Sequence, residues 1–387
     1  MIFLCSYPFP DSSAVANRLR SFVEFLDSRG WWDPKVVSAE AAFPGPASQP
    51  FSPKERNRQK SHRSGLFTRA LREIQQAFLL IVKTRRLEGD FILVTVPSVP
   101  LLLLSVFLPR RKLIIDIRDC VWDYLIALGG RKRLLGHGVR ILVRLPLRRA
   151  RLLLATNAQQ AKRVRLLTGK SVEVVPNGIS AERFTAAIQV GSGRNDSDFR
   201  RKICYFGNLG IAQELDTLIN AVRNANGWKA VLIGEGADAK RLQGIACDLS
   251  LEKIEFLGKL TWEEIIRKME DCDILFAQIG ESYVSAVPTK LFEYISLGKP
   301  IVFGLPKGGA GEEVARQFYG VRVIRPGDEG SLRDCLLSFD SNNLLSEMEI
   351  SYNRKRIREY YLRDRSAEKL EALLCSLLDN SGLCNTK

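Results

Sequence analysis

The sequence predicts an α/β protein built from two doubly wound parallel-sheet domains. Short, β-branched apolar runs alternate with helix-period segments from end to end, the pattern of βαβ units with helices on both faces of a parallel sheet. Residues 186–200, AAIQVGSGRNDSDFR, are small and polar, the composition of a linker. A chain of 387 residues is long enough for two cores of ordinary size. With 45% apolar and 9% aromatic residues it is not a disordered chain.

In the first half, strands are predicted at 2–6, 35–38, 91–96, 112–117, 152–155 and 172–175. Helices fall between them at 13–29, 65–86, 99–108, 131–149 and 158–168. The second half repeats the style, with strands at 202–206, 229–233, 254–257, 273–277, 300–304 and 321–324. Its helices lie at 214–225, 237–248, 262–270, 289–297, 311–317 and 329–338, and an amphipathic stretch at 343–379 follows. The domains read as 1–185, a linker at 186–200, 201–342, C-terminal helices at 343–379 and a tail at 380–387. Two such domains place ligands at the carboxyl ends of their strands.

The net charge of +15 is unevenly spread: residues 1–180 carry 30 Lys+Arg against 13 Asp+Glu, and the remainder is nearly neutral. Residues 131–151 hold eight basic side chains and no acid, interleaved with Leu134, Leu135, Val139, Ile141, Leu142, Val143 and Leu145. A basic amphipathic segment of this kind reads as a membrane-surface element, each charge contributing on the order of 1 kcal/mol near anionic lipid. Arg140, Arg144, Arg148 and Arg149 are its candidate contacts. Nucleic-acid binding would require aromatic residues among the basic ones, and 131–151 contains none. The most apolar run, 99–108, is half the length a transmembrane helix needs. The N-terminus has neither the basic region nor the cleavage site of a signal peptide. The eight cysteines are scattered, without a C-x-x-C pair, and signal no zinc or redox site. These features predict a cytoplasmic protein, peripheral on a membrane.

The stretch from Glu281 to Pro306, ESYVSAVPTKLFEYISLGKPIVFGLP, carries the most chemistry. Pro288 suits the first position of a helix, Gly298 its end, and Pro300 the residue beyond. Lys290 and Glu293 then share one face, with Leu291 and Ile295 on the core side. The amides of Ala286 to Lys290, the helix dipole and the Lys290 ammonium make a phosphate site. A carboxylate one turn deeper suits a diol such as the 2′,3′-hydroxyls of ribose. The competing reading is an ordinary helical ion pair. YFGNLG (205–210), IGEGAD (233–238), FLGKL (256–260) and GLPKGGAG (304–311) add strand-to-helix turns at the ends of successive strands, as a nucleotide-binding crevice requires.

Taken in order, PNGI (176–179), YFGNLG, LIGEGAD, IEFLGKL, DCDILFAQ and VPTKLFEYISLGKPIV resemble the retaining GT-B glycosyltransferases of family-four type. The likeness is greatest to the branch that builds bacterial O-antigen and capsule sugars. CSYPFPDSSAVANRLRSFVEFL resembles that family's first strand, loop and helix, and LIIDIRDCVWDY (113–124) its D-x-R-D-x-W segment. The resemblance implies two Rossmann-like domains facing across a cleft, with C-terminal helices crossing back to the first. It implies a nucleotide-sugar donor, with UDP as the base-bearing part, and a lipid-linked saccharide acceptor at the membrane. A cofactor or metal is not implied.

By the same resemblance Glu293, the second glutamate of an E-x7-E motif, binds donor ribose. Gly258, Lys259 and Leu260 meet the base through their main chain. Lys290 and the amides near Val287, Pro288 and Thr289 hold the diphosphate. Gly207 belongs to the turn that approaches it, and the loop from Pro10 through Ser13 to Ala14 closes over the donor. Arg118 and Asp119 stand where many members place a His-Asp pair at the sugar. The sequence departs from the family at Ser285, in place of the first glutamate, and at Asn208 and Gln213, in place of an Arg and a Lys. His62 and His137 lie outside every motif, which fits a retaining transfer that needs no protein base on the acceptor. A sugar-nucleotide epimerase shares the architecture, but needs acid–base groups that these motifs do not offer.

Overall fold

The computed structural model describes residues 1–6, 14–39, 66–189, 201–248 and 253–379. The chain divides into two units. The first comprises Met1–Thr156, Gln160–Val175 and Leu370–Lys387, the second Asn157–Gln159 and Pro176–Lys369. Among the described residues, each unit holds a six-stranded, all-parallel sheet.

The first unit runs β1 (Ile2–Cys5), α1 (Ala14–Ser28), β2 (Lys35–Ser38), α2 (Leu66–Arg85), β3 (Ile92–Val96), α3 (Val99–Leu104) and β4 (Leu113–Ile117). It continues through α4 (Val121–Ala127), α5 (Gly130–Leu142), α6 (Arg144–Arg149), β5 (Leu152–Ala155), α7 (Ala158–Thr168) and β6 (Glu173–Val174). The strand order is β2-β1-β3-β4-β5-β6. β1, β3 and β4 are buried at every position, which is why they read as unbroken apolar runs rather than alternating ones. The polar exceptions are satisfied. Asp116 in β4 is gripped by Arg18 through two bonds of 3.0 and 3.1 Å, and Arg18 also donates to the Val175 carbonyl at 2.9 Å.

The second unit runs α8 (Ala181–Gln189), β7 (Lys202–Phe206), α9 (Asp216–Arg223), β8 (Lys229–Ile233), α10 (Ala239–Asp248), β9 (Ile254–Gly258) and α11 (Trp262–Glu270). Then follow β10 (Ile274–Gln278), α12 (Lys290–Ser296), β11 (Ile301–Gly304), α13 (Ala310–Ala315), β12 (Val321–Ile324), α14 (Glu329–Leu337), α15 (Glu347–Tyr360) and α16 (Arg363–Asp379). The order β12-β11-β10-β7-β8-β9 is the Rossmann order, with the connections reversing direction between β7 and β10. α15 lies wholly in the second unit, while α16 begins in the second and its last turns belong to the first. There Glu371 receives Arg29 at 3.0 Å and the Trp32 indole at 3.3 Å.

Several elements differ from their sequence-based outlines. The helix expected over 131–149 is two, α5 and α6, broken at Val143. Pro146 lacks the N–H that would reach the Leu142 carbonyl, so one continuous helix is not available. The helix expected over 99–108 ends at Leu104 in a 3₁₀ turn, Ser105–Phe107. α4 and α8 were not expected, and α8 takes up residues 186–189, read as linker; residues 190–200 lie outside the described set. α12 starts at Lys290, so Pro288 precedes it rather than opening it. Its entry is a tight turn, with Leu291 and Phe292 donating to Pro288 and Thr289 at 3.1 Å.

Candidate active site

In the second unit, the ends of β7 and β8 are stitched together by glycines. Gly207 donates to Ile233 at 2.8 Å, Gly234 to Gly258 at 2.6 Å, and Leu209 to Glu235 at 2.9 Å. Gly207 and Gly234 have φ of +136° and +138°, a region that disfavours any side chain. A Cβ on Gly234 would fall on the Gly207 carbonyl, and one on Gly207 would fall on Cε and Nζ of Lys290. The glycines of YFGNLG and IGEGAD are therefore fixed by two close approaches, of turn to turn and of turn to lysine.

Lys290 lies across this turn. Its ammonium sits 4.3 Å from the centre of the Tyr205 ring and donates to the Tyr205 hydroxyl, which donates in turn to the Asn208 carbonyl at 2.6 Å. The residue as a whole is half-buried. Burial of the ammonium pushes its pKa down to about 8, with Glu293 pulling the other way, and burial pushes the Tyr205 phenol up. Among the described residues the amides of Val287 and Thr289, just before α12, have no acceptor in the protein. An ammonium and unpaired main-chain amides are each groups suited to bind an anion.

Tyr294 holds α12 at the point where β7 and β10 diverge. Its hydroxyl accepts from Phe206 N at 3.0 Å and lies 3.0 Å from the Phe276 carbonyl and 3.3 Å from that of Phe206. Main-chain groups left unpaired by the splayed strands are thereby satisfied. Glu293, one residue earlier, is 9% exposed and paired with Arg183 at 2.6 Å. The helical Lys290–Glu293 ion pair weighed above does not form: Lys290 turns to Tyr205 and Glu293 to Arg183.

The remaining second-unit candidates fall as follows. Ser285 offers its carbonyl to Asn157 at 2.9 Å. Asn208 and Gln213 meet each other at 3.5 Å over Gly210. Gly258 has φ +66° and open space where a Cβ would be, and its carbonyl already accepts from Gly234. Lys259 is exposed and Leu260 half-buried. Pro288 packs against the space that a Cβ on Gly311 would fill, so the GLPKGGAG turn supports the approach to α12.

The first unit carries its own candidates at the carboxyl end of β4. Arg118 is 7% exposed, and its Nε and Nη1 have no hydrogen-bond partner. Its pKa is lowered by burial first and then by the charge of Arg18. Gln160 braces the Arg118 carbonyl at 2.9 Å. Asp119 is exposed. Ser13 lies outside the described residues, and Ala14 is the first residue of α1.

The basic segment is outward-facing. Gly136 is the one buried residue of α5; a Cβ there would strike Ile126 and the Trp122 carbonyl, so α5 rests on α4 by its smallest side. Leu134 (75% exposed), Leu135, Ile141, Leu142 and Leu145 contribute nothing to the core. Arg140 and Arg144 are exposed, Arg148 donates to the Thr168 carbonyl at 3.1 Å, and Arg149 is half-buried. Among the described residues no helix is long and apolar enough to cross a membrane.

Sequence reasoning missed Tyr205, Tyr294 and Arg183. Tyr205 stands directly before the glycine turn and Tyr294 directly after Glu293, so both were within sight of a motif. Arg183 had no signal, because α8 was not recognised.

Residues 194–356 match the family model described as glycosyl transferases group 1. The probable glycosyltransferase WbjE of Pseudomonas aeruginosa is 24% identical over 271 residues, which are 64% of this chain and 66% of that protein. Among solved structures, sucrose-phosphate synthase of Thermosynechococcus elongatus superposes with a TM-score of 0.72 at 14% identity, over 98% of this chain and 99% of that one. HepE of Anabaena, in complex with UDP and glucose, gives 0.66 at 17% identity, over 97% and 99%. WaaG, a glycosyltransferase involved in lipopolysaccharide biosynthesis, gives 0.62 at 12%, over 95% and 99%.

The fold is that of the GT-B glycosyltransferases, two Rossmann-like units in one chain. Gly207, Lys290 and Glu293 lie within the stretch that matches the group 1 model, and Arg183 lies before it.

Proposed function

We propose that this chain is a retaining glycosyltransferase that moves a sugar from a UDP-sugar to a polyprenyl-diphosphate-linked saccharide in surface polysaccharide synthesis. The observation that carries this reading is Lys290, held by Tyr205 across the Gly207 turn at the switch point of a Rossmann sheet, with Glu293 one turn deeper. The diphosphate is assigned to Lys290 and the amides of Val287 and Thr289, and the ribose hydroxyls to Glu293. In the transfer, the acceptor hydroxyl attacks the anomeric carbon on the face from which the diphosphate leaves. The sugar–phosphate bond breaks, and the acceptor's proton passes to a leaving phosphate oxygen. Lys290 stabilises charge building on that oxygen, and no protein base is required. Arg118 and Asp119 are assigned to the sugar. Charge neutralisation is assigned to the lysine and the amides.

The acceptor assignment rests on α5 and α6, which carry exposed leucines and arginines. Such a surface fits the cytoplasmic face of an anionic membrane, where a lipid-linked acceptor lies. Calorimetry with UDP, GDP, ADP and their sugars tests the donor. UDP-sugar binding in wild type, abolished in Lys290→Ala and insensitive to EDTA, is the expected result. Wild-type turnover by Lys290→Ala rules out the phosphate assignment, and an inverted anomeric product rules out retention.

A further inference from the structure

We infer that Arg183 is a positioning residue that presents Glu293 to the ribose and so makes the donor site selective for ribonucleotides. The inference rests on the donor reading above, and all of its residues lie in the second unit.

Arg183 is held from two sides. Its guanidinium carbon lies 5.2 Å from the centre of the Trp262 ring, and the Trp262 indole N–H donates to the Arg183 carbonyl at 3.1 Å. Phe184 and Ala187 bury α8 in the core that also contains Trp262, Leu291 and Phe292. From this anchored position Arg183 Nη1 reaches Glu293 Oε1 at 2.6 Å. The Arg183 side chain is 44% exposed and that of Glu293 11%, so the pair opens to solvent on the arginine side.

A surface ion pair between two mobile side chains contributes little. Here neither partner is mobile. Glu293 sits in a helix whose seven residues are otherwise apolar or anchored, and Arg183 is stacked and backbone-tied. The terminal torsion of a free glutamate is broad, and fixing it on binding costs rotamer entropy. Arg183 fixes it beforehand by occupying Oε1. Oε2 has no partner among the described residues. An ionised carboxylate oxygen is acceptor-only and can receive both hydroxyls of a cis-diol. A nucleotide lacking these hydroxyls gains nothing from the arrangement.

The test compares UDP with 2′,3′-dideoxy-UDP by calorimetry on wild type, Arg183→Ala, Arg183→Lys and Trp262→Phe, the last keeping a ring but removing the indole donor. Wild type is expected to prefer UDP, and Arg183→Ala to weaken UDP about tenfold, the scale of one charge-assisted hydrogen bond. Its affinity for dideoxy-UDP stays unchanged. Arg183→Lys recovers part of the preference, and Trp262→Phe falls between wild type and Arg183→Ala. Equal weakening of both nucleotides, or none, overturns the inference while leaving the donor reading intact. A wild type that binds no uridine nucleotide overturns the UDP reading itself.

Discussion

Arg118→Met is the most discriminating single substitution in the first unit. Arg118 is 7% exposed, with Nε and Nη1 lacking acceptors. Among the charges acting on it, Arg18, itself paired with Asp116, opposes the Arg118 cation, and Asp116 and Asp119 favour it. Each buried donor without a partner costs about 1–3 kcal/mol. Methionine matches the length of the stem and removes both orphaned donors, at the expense of some packing around the lost guanidinium. A net gain of about 2 kcal/mol follows, in line with other replacements of buried charge by apolar groups. For a unit of this size that corresponds to a rise in Tm of roughly 4–8 °C. Turnover should fall at least about 100-fold, the scale of losing one preorganised charge contact at a reacting sugar. Calorimetric unfolding and a transfer assay on the same preparation give both numbers. A lower Tm would show that Arg118 is a structural residue; an unchanged rate would remove it from the site.

Lys290 gives a pH dependence. Its pKa of about 8 lies below the ordinary 10.5, so the folded protein releases this proton first. Stability should therefore rise between pH 8 and 10.5, by no more than about 3 kcal/mol, and this rise should vanish in Lys290→Met. UDP affinity, which needs the ammonium, should weaken over the same interval, as titration calorimetry at pH 7, 8.5 and 9.5 would show. Gly207→Ala combines an unfavourable φ with a Cβ placed on Lys290; it should cost at least about 2 kcal/mol in denaturant unfolding and abolish UDP binding. Binding to anionic vesicles should fall with salt and with Arg140→Gln or Arg144→Gln, both exposed. Arg148→Gln should act through stability instead, since its guanidinium caps the Thr168 carbonyl; co-sedimentation and thermal unfolding of the three variants separate the two effects.

The sheets were legible because parallel strands are buried on both faces and announce themselves as runs such as Ile92–Val96 and Leu113–Ile117. Lys290 and Glu293 were legible because helix start signals surround them. Their partners were not. Tyr205 lies 85 residues from Lys290, and Arg183 lies 110 from Glu293. At such separations no local pattern records which side chains meet. The expected ion pair within α12 failed for this reason: helical spacing allowed it, and tertiary contacts offered each residue a better-fixed partner. The break at Val143 was different, since Pro146 was present in the sequence and the regular apolar spacing outweighed it.

The distribution of satisfied and unsatisfied polar groups is itself an argument for where the chemistry lies. Away from the carboxyl ends of the strands, buried polar side chains such as Asn353 and Thr84 have partners. Asn353 closes two bonds with the Tyr319 main chain at 3.0 Å, and the Thr84 hydroxyl donates to the Leu80 carbonyl at 2.7 Å. Thr261 and Ser346 form complete capping boxes. At those strand ends the rules are broken together. Gly207 and Gly234 hold turns closed to any side chain, Glu214 adopts φ +44°, an ammonium is withdrawn beside Tyr205, and Arg118 is left without acceptors. Arg201 at φ +51° and Arg149, with one orphaned Nε, are departures elsewhere, and each stands alone. Selection for stability would remove such features one at a time. Their concentration at the strand ends of each unit marks those ends as the places to look for binding of anionic, hydroxyl-rich substrates.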